Sequence, residues 1–161
     1  LDALAAEWVA FNAALDRLSP AQLTEFTDAA GWTGKDHIAH LAAWERSAAY
    51  FLRGKPRHKG LEVDAAVYAT GNDDRINAAI QQQTGFQTLA EARADLLGAH
   101  EELLAALATL TDADLQQPYV HFLPDEPGEG EGPRALNVVV GNSVEHYREH
   151  LPWIEALAHV A

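Results

Sequence analysis

The sequence predicts an all-α fold: an antiparallel four-helix bundle made by a single domain over residues 1–161. Three observations predict it. Ala, Leu, Glu and Gln favour helix and are abundant, whereas the β-branched and aromatic runs that would build a large sheet are scarce. Four long segments repeat apolar residues at spacings of three and four, the period of one helix face. A chain of 161 residues with 48% hydrophobic content can also bury a sizeable core without disulfides.

The first helix is read from Leu1, Leu4, Trp8, Phe11, Leu15 and Leu18, which share one stripe and stop near Ser19 and Pro20. Ser19 caps a short helix with Pro20 in its first position, where the missing N–H costs nothing, and Leu23 and Phe26 pack it inward. Thr33 and Asp36 form an approximate capping box for a second long helix running to Leu52, with His37, His40, Leu41, Trp44, Ala48 and Phe51 inward. Residues 53–72 show no period and contain four glycine or proline punctuation points, Gly54, Pro56, Gly60 and Gly71; connections of that length often carry function.

A shorter helix follows over residues 73–84. Thr88 caps a third long helix, residues 89–110, with Leu96, His100, Leu103, Leu104 and Leu107 inward. Residues 125–133 are acidic and rich in Gly and Pro, and read as a solvated loop. The fourth long helix is expected over residues 136–158, with Pro152 kinking it just beyond His150. Ala14, Leu15, Leu18, Ala21 and Leu23 match Ala106, Leu107, Leu110, Ala113 and Leu115 at a constant offset of 92 positions. That pattern fits two related helix pairs; coincidence among common residues is the alternative.

Composition narrows the function classes. A net charge of -13 with only 11 scattered Lys and Arg argues against nucleic acid. No apolar run reaches the roughly 20 residues of a membrane span, and the first segment is an acidic amphipathic helix rather than a signal peptide, so a cytoplasmic location is expected. Without methionine, residues are expected to precede Leu1. Without cysteine, there is no thiolate ligand or nucleophile, and thiol chemistry would require an external thiol.

The chemistry lies in histidine. On the fourth helix the inward stripe is Val139, Ser143, His146, His150, Trp153 and Leu157, so two imidazoles one turn apart face the core and can share an ion. His40 on the inward side of the second helix supplies a third ligand. Three histidines with open positions suit zinc, nickel or ferrous iron. The competing reading is a set of buried histidines bonded to carboxylates or backbone. Ser143, one turn before His146, lacks the elbow and acidic partner of a serine nucleophile.

The segment Gly31-Trp32-Thr33-Gly34-Lys35-Asp36-His37-Ile38-Ala39-His40-Leu41-Ala42-Ala43-Trp44-Glu45 resembles the W-[ST]-x-K-D-x-[LI]-x-H-L-x-x-W signature of the DinB-like superfamily. Glu145-His146-Tyr147-Arg148-Glu149-His150 is similar to that superfamily's closing histidine pair. The resemblance implies up-down-down-up topology with long crossover connections, and a divalent metal (zinc, nickel or iron) on His40, His146 and His150. It also implies a hydrolase, or a transferase using bacillithiol or mycothiol, acting on a small molecule. A finer resemblance, through Trp44-Glu45, Asn77-Ala78 and His100, is to the ClbS/DfsB-like branch associated with resistance to a genotoxin. That branch admits a metal-free or non-catalytic binding role. The acidic insertion at residues 125–132 departs from it.

Substrate contacts are assigned to His100, Trp44 and Tyr68, the last on the long connection; the catalytic base is unknown. His37 is read as facing water at the start of its helix, with hydrogen bonding to a metal ligand as the alternative. Trp44 and Trp153 are read as core fillers that also flank the pocket mouth. Glu45 and Glu149 are read as surface residues, and His58, His121 and His159 as exposed. A homodimer is compatible with the exterior, although no stripe identifies an interface.

Overall fold

The computed structural model describes residues 1–126 and 130–159, and every regular element among them is helical. The long segments are α1 (Asp2–Asp16), α3 (Gly34–Leu52), α7 (Leu89–Leu107), and a broken fourth member formed by α10 (Ala135–Gly141) and α11 (Val144–Ala156). Between them lie α2 (Pro20–Thr24), α4 (Arg57–Gly60), α5 (Ala65–Tyr68), α6 (Asp73–Thr84), α8 (Asp112–Leu115) and α9 (Tyr119–Phe122). No helix among the described residues is long and apolar enough to cross a membrane.

Reciprocal capping boxes start four of these helices: Ser19 with Gln22, Thr33 with Asp36, Thr88 with Glu91 and Thr111 with Asp114. Each hydroxyl satisfies a backbone N–H that the first turn leaves free, worth about 1 kcal/mol. Because Ser19 and Thr111 each follow the end of a long helix, the two halves share the long-then-short pattern suggested by the 92-position offset.

Helix α3 occupies the centre. It packs on α7 along its length, on α4 and α6 from the connection, and on α11, while α1 packs on α11. Phe11, Leu15, Ile38, Leu41, Phe51, Leu96, Leu103 and Ile154 fill the main core. A smaller core of Ala43, Leu61, Val63, Ile76 and Ile80 fastens the long connection and α6 to the side of α3. Leu1 is 81% exposed and Leu104 39% exposed, so both leave the predicted inward stripes, and α7 ends at Leu107 rather than 110.

The fourth helix differs most from its expected form. It breaks at Asn142 and Ser143, where Ser143 takes φ -140 and ψ -81, while α11 continues through Pro152 to Ala156. Side chains stabilise the break: the Ser143 hydroxyl donates to Val139 O at 2.6 Å and the Asn142 amide to Val138 O at 2.7 Å. Such local bonds compete with the helical ladder, and here they re-aim α11 ahead of its two histidines.

The connection after α3 approaches it closely at Gly60. A Cβ there would lie 2.7 Å from Ser47 Cα and 2.9 Å from both Arg46 O and Ser47 N. These are backbone atoms of a buried helix and cannot swing aside. Gly60→Ala is therefore expected to lower stability by about 1–3 kcal/mol, read from the urea midpoint. An unchanged midpoint would mean that α4 can lift from α3 without cost.

In the acidic stretch, residues 127–129 lie outside the described residues. Glu126 is half-buried rather than solvated: its carboxylate accepts from the Arg57 backbone N–H at 3.0 Å and from the hydroxyls of Tyr68 and Tyr119.

Candidate metal centre

His40 projects from α3, and His146 and His150 lie one turn apart on α11. One ring nitrogen from each comes within 4.8 Å of those of the other two. The ring centroids form a nearly equilateral triangle, 4.8 Å from His40 to His146, 4.9 Å from His40 to His150 and 4.8 Å from His146 to His150.

The donors fit a divalent ion. Nε2 of His40 and Nε2 of His146 face each other at 2.9 Å. Two imidazole lone pairs at that distance repel unless a proton or cation lies between them. Metal–nitrogen bonds of about 2.0–2.1 Å in tetrahedral geometry hold ligand nitrogens about 3.3 Å apart, close to this spacing. Burial prepares the same nitrogens by disfavouring the charged imidazolium. It lowers the pKa of His146 to about 4 and, with the neighbouring His146 and His37, that of His40 to about 2. His150 is also lowered, first by burial and then by the surrounding imidazoles. All three therefore offer lone pairs at neutral pH.

Support behind the ligands is uneven. Nδ1 of His40 and Nδ1 of His146 are buried with no hydrogen-bond partner among the described atoms. His150 has one: its Nδ1 lies 2.9 Å from Nδ1 of His37, whose Nε2 lies 3.1 Å from Asp28 Oδ2. His37 is thus buried, not facing water, and burial lowers its pKa against the opposing pull of Asp28. Asp28 is itself held by the backbone N–H groups of Ala30 and Trp32.

The triad opens into a cavity of about 620 Å³ walled by Trp32, Trp44, Asn77 and Asn142. Asp28, Asp73, Asp74 and Glu149 also line it, with no Lys or Arg among the described lining residues. Trp153 is 41% exposed rather than a core filler, and stands edge-on to His150 with ring centroids 4.8 Å apart. The Ser143 hydroxyl is committed to Val139 O and serves no nucleophilic role.

Of the three residues assigned to substrate, two line cavities and one does not. Trp44 borders the metal cavity and a second one of about 850 Å³, donating its Nε1–H to Asn77 Oδ1 at 3.0 Å. Tyr68 lines the second cavity, together with Arg57, Tyr119 and Glu126; His58 is also there, half-buried rather than exposed. Burial raises the pKa of both tyrosines, which keeps them as hydrogen donors. His100 lines neither cavity. It is buried, its Nδ1 is 2.8 Å from Glu45 Oε1, and its ring stacks on Trp8 at 3.9 Å.

Glu45 corrects the surface assignment, being only 1% exposed. Its second oxygen accepts from the Tyr147 hydroxyl at 2.5 Å, so one carboxylate ties α3 to α7 and α11 directly behind the histidines. The pairing of Glu45, and that of His37, joins residues too far apart in sequence for spacing to reveal. Glu149 is exposed at the cavity rim, as expected.

No curated protein matches the sequence. The profile of the DinB superfamily matches residues 3–154 of the 161, in agreement with the helical fold and the histidine triad. The chain belongs to the DinB superfamily.

Proposed function

We propose that this DinB-superfamily chain is a metal-dependent enzyme in which His40, His146 and His150 hold a zinc, nickel or ferrous ion, acting as a hydrolase or thiol transferase on small electrophiles. The observation that carries this reading is the convergence of three neutral imidazole nitrogens within 4.8 Å at the wall of an open cavity. Structural sites close all coordination positions with protein, whereas three ligands beside a cavity leave room for a reactant. A divalent ion bound there supplies Lewis acidity, polarising an electrophile and making water or a thiol more nucleophilic at neutral pH.

The chain's own residues do the rest. Trp32, Trp44 and Trp153 exclude water from the histidine side of the cavity. The four lining carboxylates favour neutral or cationic substrates and repel anions. On this basis a thiol without carboxylates, such as mycothiol, suits the cavity better than one carrying them, such as bacillithiol. The second cavity, bordered by Trp44 and Tyr68, receives the body of the substrate.

A second reading keeps the same cavities without turnover: a metal-free ClbS/DfsB-like binding and resistance protein. The 850 Å³ cavity favours it, because that volume would enclose a drug-sized ligand.

The test is elemental analysis of untagged protein, before and after reconstitution with each ion, followed by an electrophile screen with water or added thiol. One ion per chain and metal-dependent conversion are expected. Failure to bind any ion would overturn the metal reading, and tight ligand binding without conversion would favour the second.

A further inference from the structure

The hydrogen-bond chain behind His150 has a direction. Asp28 Oδ2 can only accept from His37, so Nε2 of His37 carries hydrogen. A neutral imidazole carries one such hydrogen, which leaves a lone pair on Nδ1 of His37. That lone pair faces Nδ1 of His150 at 2.9 Å, so the hydrogen between them belongs to His150. Nε2 of His150 is then left with its lone pair. The orientation is well held: His37 is 2% exposed, capping-box residues Thr33 and Asp36 anchor its helix, and two backbone N–H groups fix Asp28.

We infer that His37, oriented by Asp28, is a positioning residue for the metal centre: it selects the His150 tautomer whose Nε2 binds the ion. The inference rests on the metal reading above. A histidine ligand usually directs its second nitrogen to a carboxylate or carbonyl; here a second histidine stands between ligand and carboxylate. His40 and His146 have no comparable protein support, so the site relies on His150 for its tautomer control. The outward position of a helix-start histidine in the sequence conceals this role, because the acceptor lies on a loop and the ligand 113 residues away.

The experiment measures zinc affinity of the full chain by competition with a chromophoric chelator, and the visible spectrum of its cobalt-substituted form. His37→Phe keeps the ring but removes the acceptor, and is expected to weaken zinc binding about 10–100-fold and alter the cobalt bands. His37→Asn places a carbonyl oxygen near the former Nδ1 and is expected to recover most of the affinity. Asp28→Asn can still accept from Nε2–H and should lie between wild type and His37→Phe. Equal affinity in wild type and His37→Phe would overturn the inference while leaving the metal reading intact. Equal loss in the Phe and Asn variants would overturn it in favour of simple packing. Wild-type protein that binds no zinc or cobalt would remove the metal reading itself, and the inference with it. Thermal melts of the metal-free variants identify any that fail to fold, and for those Asp28→Asn carries the test.

Discussion

His146→Ala is expected to weaken divalent-metal binding by more than about a hundredfold, because it removes a ligand, and even groups that only support a ligand typically cost 10–100-fold. The fold should survive. His146 is half-buried beside an open cavity, and its Nδ1 makes no protein hydrogen bond, so few native contacts are lost. Metal at about a hundred times its dissociation constant should raise the wild-type melting temperature by roughly 5–10 °C, and that of the variant hardly at all. Identical shifts in both proteins would place the ion elsewhere.

The pH dependence has a definite sign. The folded pKa of His146, about 4, lies below the model value of 6.5. As pH falls through 6.5 the unfolded chain takes up protons before the folded chain does, so the metal-free protein loses stability from there down towards pH 4. Above 6.5 that contribution is fully present. His40, at about 2, acts in the same direction. In the folded chain, protons compete poorly for these nitrogens, so zinc affinity should hold nearly level to about pH 5, where an exposed histidine site would already be failing. Isothermal titration across this range checks it; a decline beginning near 6.5 would show that burial does not protect the ligands.

Glu45→Leu is expected to be the most destabilising of the substitutions considered, by about 3–5 kcal/mol, because it strips the partner from two buried groups at once. His100 Nδ1 and the Tyr147 hydroxyl both end on this carboxylate, and all three residues are at most 6% exposed. Tyr147 cannot offset the loss by ionising, since burial and then Glu45 hold its pKa well above 10. The melting temperature should fall by about 10 °C or more. Adding His100→Leu and Tyr147→Phe to Glu45→Leu should recover much of this, because an apolar replacement leaves nothing unpaired. If the triple variant is no more stable than Glu45→Leu, the cost lies in packing rather than in stranded polar groups.

Much of the site was legible because it is local. The Thr33–Asp36 capping box, the His40 stripe and the one-turn spacing of His146 and His150 depend on neighbours within a few residues, where helix geometry settles direction. The helical-wheel argument failed at Glu45 for a specific reason. Rotating about 100° from Trp44 leads to solvent only on a helix with an outer face, and α3 has almost none, with 14 of its 19 residues buried. His100 misled in the opposite sense: its inward position was read correctly, but inward here means an ion pair and a stacked Trp8 rather than a cavity.

The sequence by itself determined the helical architecture, the superfamily and the identity of the three candidate ligands, since periodicity, caps and motif spacing are properties of short stretches of chain. The tertiary structure alone decided which histidine supports which, through His37 and His150, where α11 departs from α10, and how Glu45 is enclosed. Those outcomes depend on groups brought together from distant helices, and on the cost of burying a polar atom without a partner.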